Sequence, residues 1–291
     1  MRYFAIAATA VCVGCSSLPS ADDISKFSSA TSTAAATVTT AMDSAELIAV
    51  REDEENQALN FVKHQGFTTH PVPATAVRQI PVDKLQLRVK ALDALQVYAK
   101  AIGEAADKGA IDKLEASSQE LGAATAAFAT AFGPGAAVVT PIAKLGGRAL
   151  GYAASDRYVR EVLGVIRKTD PTVTELISLL KLDLDPLPRG VLEQAKSYAA
   201  ARDEELAYLN EDKRLTRLER YQAYQAARLD VQAQFALANA ASSTDKLLDA
   251  IASSHSALAK GSHDSTVTIN RFAALTEDFA SVITAAKTEA K

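Results

Sequence analysis

VLEQAKSYAAARDEELAYLNEDKRLTRLERYQAYQAARLDVQAQFALANAASSTDKLLDAIASSHSALAK, the stretch from Val191 to Lys260, contains neither Gly nor Pro. Gly costs a helix interior about 1 kcal/mol relative to Ala and Pro about 3 kcal/mol, so a run this long without either is helical. Leu192, Leu206, Leu209, Leu215, Leu218, Val231, Phe235, Leu248, Ile251 and Leu258 recur near helical spacing, which is the stripe a helix needs to pack on a neighbour. Between them Glu211, Asp212, Lys213, Arg214, Arg217, Glu219 and Arg220 mix both signs of charge, and such lacing belongs to a solvated helix face. As one helix the run would reach about 105 Å at 1.5 Å per residue. A parting near Asn210 to Lys213 would give two helices instead; the reading favours the long helix, kinked if anywhere at that point. Proline at Leu218 is then expected to cost roughly 3 kcal/mol or more, as it does in a helix interior.

Outward from this run, Pro and Gly cluster at a few places and leave long stretches free of both. Ser20, with Asp23 three residues on, is an N-cap for a first helix reaching Gln65. Gly66 to Pro81 has no period and is a loop. Val82 to about Phe132 is a second helical segment with a bend near Gly109, and Gly133 to Pro141 breaks it. A third helix starts at Pro141 and runs to about Lys168. Asp170-Pro171 opens a short fourth through Leu182, and Asp183 to Pro188 stops it. After a turn over Gly261 to Ser265, Val267 to Ala286 closes the chain with Phe272, Leu275, Phe279, Val282 and Ile283 facing inward. About one residue in five is Ala, there is no Trp, and aromatics are 6%, which suits helices packed closely through small side chains. The fold class is therefore all-α, an elongated antiparallel bundle of long helices. No repeat of fixed period is evident, which argues against a solenoid.

The opening MRYFAIAATAVCVGCSS has Arg2 as a short positive region, then an uncharged run from Tyr3 to Gly14. Twelve residues fit a secretory signal, whereas a permanent bilayer span needs about 20. The run ends in Cys12-Val13-Gly14-Cys15, which resembles the lipobox of bacterial lipoproteins, with Cys12 standing where Leu is usual. The resemblance implies cleavage between Gly14 and Cys15, a diacylglyceryl thioether on the Cys15 sulfur and an acylated new N-terminus. Residues 1–14 are then a signal peptide, 15–19 a lipidated tether and 20–291 a single helical-bundle domain. Cys15 would be the lipidation site and would hold the body on a membrane in the cell envelope. Ser16, rather than the Asp that commonly retains such proteins at the inner membrane, points toward the outer membrane, facing the periplasm.

The net charge of −4 comes from 31 basic and 35 acidic residues. No basic stripe of the kind that displaces counterions from phosphates is present, so no nucleic-acid partner is expected. Ala123 to Ala143 carries no charge. As a hairpin tip it could enter lipid with Phe128, Phe132, Val138, Val139 and Ile142, and as a buried hairpin it would pack those residues against other helices. Its Ala- and Thr-rich composition favours the buried reading. The row Ala143, Gly147, Gly151 and Ser155 would let two helices approach closely. His64, His70, His255 and His263 fall around the first loop and the last turn; exposed loop histidines are the expectation, with no metal site. Asp183 and Asp185 read as solvated turn carboxylates. No nucleophile elbow, phosphate loop or dinucleotide fingerprint occurs, so neither enzymatic activity, a cofactor nor a small-molecule substrate is expected. The leading expectation is a non-enzymatic envelope lipoprotein whose helical stalk binds another envelope or secreted protein. The alternative is a membrane-active protein that inserts its 123–143 hairpin.

Overall fold

A computed structural model of the chain describes residues 19–63, 82–131, 156–261 and 264–289. The described residues form an all-α protein of eight helices, with no strand among them. These are α1 (Ala21–Val62), α2 (Val82–Lys108), α3 (Ile111–Ala131), α4 (Asp156–Leu184), α5 (Leu187–Glu211), α6 (Arg217–Ser242), α7 (Thr244–Lys260) and α8 (Asp264–Glu289).

Helix α1 is the spine, 42 residues and therefore about 63 Å long. Its start is fixed by a reciprocal capping box: the Asp23 backbone N–H donates to Ser20 Oγ, and the Ser20 N–H donates to the Asp23 carboxylate, both at 3.1 Å. Around its first half lies the main core, where Ile24, Phe27, Val38 and Met42 meet buried residues of α2, α3, α4, α7 and α8. Helix α2 runs antiparallel to it, with Ser28 bonded to the Ala99 carbonyl and Gln96 to Ser32. Gly103 permits this close approach, since a Cβ there would lie 2.6 Å from Ser28 Oγ. Around the second half of α1 lies a separate small core of Ala45, Ile48, Val191, Ala195, Leu237, Ala238 and Ala241. It is built from α1, α5 and α6 alone. The pairings of Glu55 with Arg202 and of Lys63 with Glu204 show that α5 runs in the same direction as α1. Arg51 against Asp230, with Ile48 in the cluster that holds Leu237, shows that α6 runs back. These three segments form an arm at the end of the spine away from Ser20.

The Val191–Lys260 run is three helices rather than one. Asp212 to Thr216 parts α5 from α6, and Ser243 parts α6 from α7. The first break is built from polar groups that outbid helix continuation locally. The Asp212 carboxylate accepts from the Arg214 backbone N–H at 2.9 Å and from its guanidinium, while Thr216 and Glu219 form a second capping box. Arg220 then covers the Asn210 carbonyl at the end of α5 and the Leu215 carbonyl of the linker, at 3.1 and 2.9 Å, satisfying acceptors that the break leaves open. Gly109 ends α2 outright, with φ of 78°, where a bend was expected. In the opposite sense, Asp170-Pro171 does not start a helix, because α4 passes through Pro171. The lost backbone bond is outweighed by a buried stripe on both sides of it, Val162, Ile166, Val173, Leu176, Leu180 and Leu184.

Two inward assignments are also corrected. Val282 is about half exposed, while Phe272 and Ile283 of the same helix are buried. Leu218 is largely exposed, and it is the second residue of α6, not a mid-helix position. Its backbone N–H has no carbonyl four residues back to bond within the helix, so Leu218→Pro is expected to change stability by about 1 kcal/mol or less. Leu237→Pro, buried mid-helix, should cost more than about 3 kcal/mol. Thermal melts followed by circular dichroism compare the two directly; equal losses would mean that α6 begins well before Arg217.

Candidate interaction surface

Helix α6 turns its small residues inward. Ala227, Ala233, Leu237, Ala238 and Ala241 are buried, and the Asp230 side chain faces α1 and α5. The large apolar side chains of its first half lie on the other side. Leu218, Tyr221, Tyr224 and Leu229 are 65%, 61%, 53% and 55% exposed. At 100° per residue Leu218, Tyr221 and Leu229 share one face and Tyr224 flanks it. Single exposed apolar residues are ordinary, but four large ones within twelve positions of one helix form a patch.

The arm that carries this face is fastened to the spine by a charged cleft of about 450 Å³ lined by Arg51, Glu54, Glu55, Tyr198, Arg202 and Asp230. Arg51 Nη1 donates to Asp230 Oδ1 at 3.2 Å, the Tyr198 hydroxyl donates to the other Asp230 oxygen, and Arg202 reaches Glu55 at 3.4 Å and also Glu205. Burial pushes the Glu55 carboxyl above its ordinary value, against the pull of Arg202. Burial, then the bond and charge of Asp230, push the Tyr198 phenol well up, so it stays a neutral donor. Because Arg51, Glu55, Tyr198, Arg202 and Asp230 are bonded across it, the cleft joins three helices. At the tip, the Arg214 guanidinium and backbone N–H hold the Asp212 carboxyl down at about 2.

A second polar network lies in the main core. His255 is buried, which corrects the expectation that the histidines are exposed in loops. Its Nδ1 sits 2.8 Å from Asp170 Oδ1 and its Nε2 3.0 Å from the Tyr98 hydroxyl, while Ser256 Oγ donates to Asp170 at 2.9 Å. Phe27 packs edge-on against the imidazole ring, with centroids 5.7 Å apart. Burial alone would raise the Asp170 carboxyl, but the hydrogen bond and charge of His255, with Ser256, leave it below its ordinary value. This Tyr–His–Asp row has the order of a proton relay. Tyr98 and His255 are both fully buried, however, so the row meets no solvent-borne substrate at the phenol end.

Neither the chain's sequence nor its structure finds a counterpart: no family model matches it, and no curated protein or solved structure is significantly similar. Among the residues singled out in the sequence, Phe128 is buried in the main core together with Leu121. Cys15, Phe132, Val138, Val139 and Ile142 lie outside the described residues, as do His64, His70 and His263. Asp183 is not a solvated turn carboxylate: it forms a buried ion pair with Arg88, whereas Asp185 is exposed. Among the described residues no group of three or more His, Cys, Asp or Glu is placed to hold a metal, and no helix is long and apolar enough to cross a membrane.

Tyr221, Tyr224 and Leu229 are functional candidates that the sequence alone does not single out. The structure marks the packed side of α6 by its buried Ala227, Ala233, Ala238 and Ala241, with the larger Tyr221, Tyr224 and Leu229 outside. That arrangement is easily overlooked because large apolar residues are usually the buried ones.

Proposed function

We propose that the chain is a lipid-anchored, non-enzymatic protein of the bacterial cell envelope that holds a protein partner with the arm made by α5 and α6. The observation that carries this reading is the separation of the two ends. Cys15 stands six residues before Ala21, so a fully extended tether keeps it within about 22 Å of the start of α1. The apolar face of α6 begins beside Asp230, which pairs with Arg51, some 30 residues and therefore about 45 Å along the spine. An anchor at one end and an unpaired aromatic face toward the other suit a protein that stands on a membrane and reaches outward. The alternative, insertion of residues 123–143 into lipid, would require Phe128 to leave the core.

Two measurements test the parts separately. Cys15→Ser should release the protein from the membrane fraction, and a variant that is still processed and tightly bound would overturn the anchor. In detergent extracts of wild-type cells a protein should co-purify with the tagged chain and be lost when Leu218, Tyr221 and Leu229 are all replaced by Ser. Retention of that protein by a folded triple variant would remove the arm from the reading.

A further inference from the structure

We propose that the outer face of α6 docks an acidic amphipathic helix of its partner protein, an inference that rests on the reading that the arm holds a protein. Along one edge of the apolar face, between Tyr221 and Tyr224, stand Arg217 and Arg228, both exposed and neither in an ion pair among the described residues. They stand eleven residues apart, about three helical turns or 16 Å. The carboxylates within five positions of them in sequence are already used. Glu219 accepts from Thr216 in the capping box, Asp230 faces inward to Tyr198 and Arg51, and Asp212 is held by Arg214. An apolar face with two guanidinium groups that no described residue pairs thus stands on a chain whose net charge is −4.

Tyr and Arg are the side chains that most often supply binding energy between proteins, through rigid aromatic area and forked hydrogen bonding to carboxylates. The face is straight, one helix wide and about three turns long, so its complement is another helix laid along it. That helix needs apolar residues at spacings of three and four to meet Leu218, Tyr221 and Leu229. Carboxylates along one of its margins would meet Arg217 and Arg228. Such charge pairing orients the encounter and rejects basic helices. An anionic bilayer shares the charge complementarity, but a flat surface would not use the limited length of the face.

The test places a photo-crosslinking residue at the exposed Gln222, and separately at Gln225, in the full lipidated chain in its own cells. The crosslinked segment is sequenced by mass spectrometry. A Glu- and Asp-rich segment with helical apolar spacing is expected. Its yield should fall about tenfold or more in the Arg217→Glu, Arg228→Glu double variant and largely return with Lys at both positions. Circular dichroism of that double variant checks that the fold persists. A neutral or basic segment, or a yield indifferent to charge reversal, would overturn this inference while leaving the protein-holding arm in place. Crosslinks only to lipid or to a second copy of the chain, or none from either position, would overturn both.

Discussion

Replacing Arg88 with Ala is expected to cost about 3 to 5 kcal/mol of stability, the range for removing one partner of a buried ion pair. Arg88 joins α2 to the end of α4: its Nε and Nη2 both reach Asp183, the latter at 2.9 Å, and both side chains are more than nine-tenths buried. Attraction between the two charges offsets their removal from water only while both remain. Without the guanidinium, the Asp183 carboxylate keeps its desolvation cost and loses its fork of donors. The native pair is not an optimum, because Arg88 Nη1 is buried with no acceptor, and an orphaned donor costs about 1 to 3 kcal/mol. Replacing both residues, Arg88→Met with Asp183→Leu, should therefore be near neutral or stabilising, since it removes that penalty and the pair together. Urea unfolding of Arg88→Met, Asp183→Leu and their double variant forms a cycle that isolates the pair. A single variant that loses less than about 1 kcal/mol would mean that Asp183 reaches water as soon as Arg88 is gone.

That pair also shows where sequence reading ends. Asp183 sits among Leu and Pro where a helix stops, and locally such a carboxylate belongs in solvent. What buries it is Arg88, 95 positions away and brought in by the packing of α2 on α4; nothing near Asp183 in the sequence announces it. Helical class and the start of α1 were legible because they are local, set by Ala content, Gly- and Pro-free runs and the Ser20–Asp23 box. The break at Asp212 was local too. Thr216-x-x-Glu219 is the same capping signal as Ser20-x-x-Asp23, and reading those charges as a laced helix face hid it. Pro171 misled in the other direction, since its cost is local and the stripe that overrides it is tertiary. The candidate surface was not legible in this way, since small residues rather than large ones mark the packed side of α6.

His255→Ala should be as damaging as the loss of Arg88, and its effect should depend on pH. The imidazole joins three helices, bonding Asp170 of α4 and Tyr98 of α2 from its place on α7, and it fills space beside Phe27 of α1. Truncation leaves a cavity, a Tyr98 hydroxyl without its imidazole partner and with Thr169 remaining, and an Asp170 carboxylate with Ser256 as its remaining close donor. Cavity and lost hydrogen bonds together put the cost at roughly 3 to 5 kcal/mol. The sign of the pH effect follows from Asp170, whose carboxyl is held below its ordinary value of 3.8 in the folded protein. A carboxyl with a depressed folded pKa stabilises the fold above its unfolded pKa, and that stability is lost as pH falls through the folded value. The wild type should therefore lose this contribution below about pH 4. In the variant His255 no longer holds the carboxyl down and burial pushes it up, so the gap between wild type and variant should be wide at neutral pH and narrow on acidification. Urea unfolding of both proteins between pH 3 and pH 7 measures that gap. One that stayed constant across the range would show that His255 serves as packing alone and that Asp170 gains nothing from it.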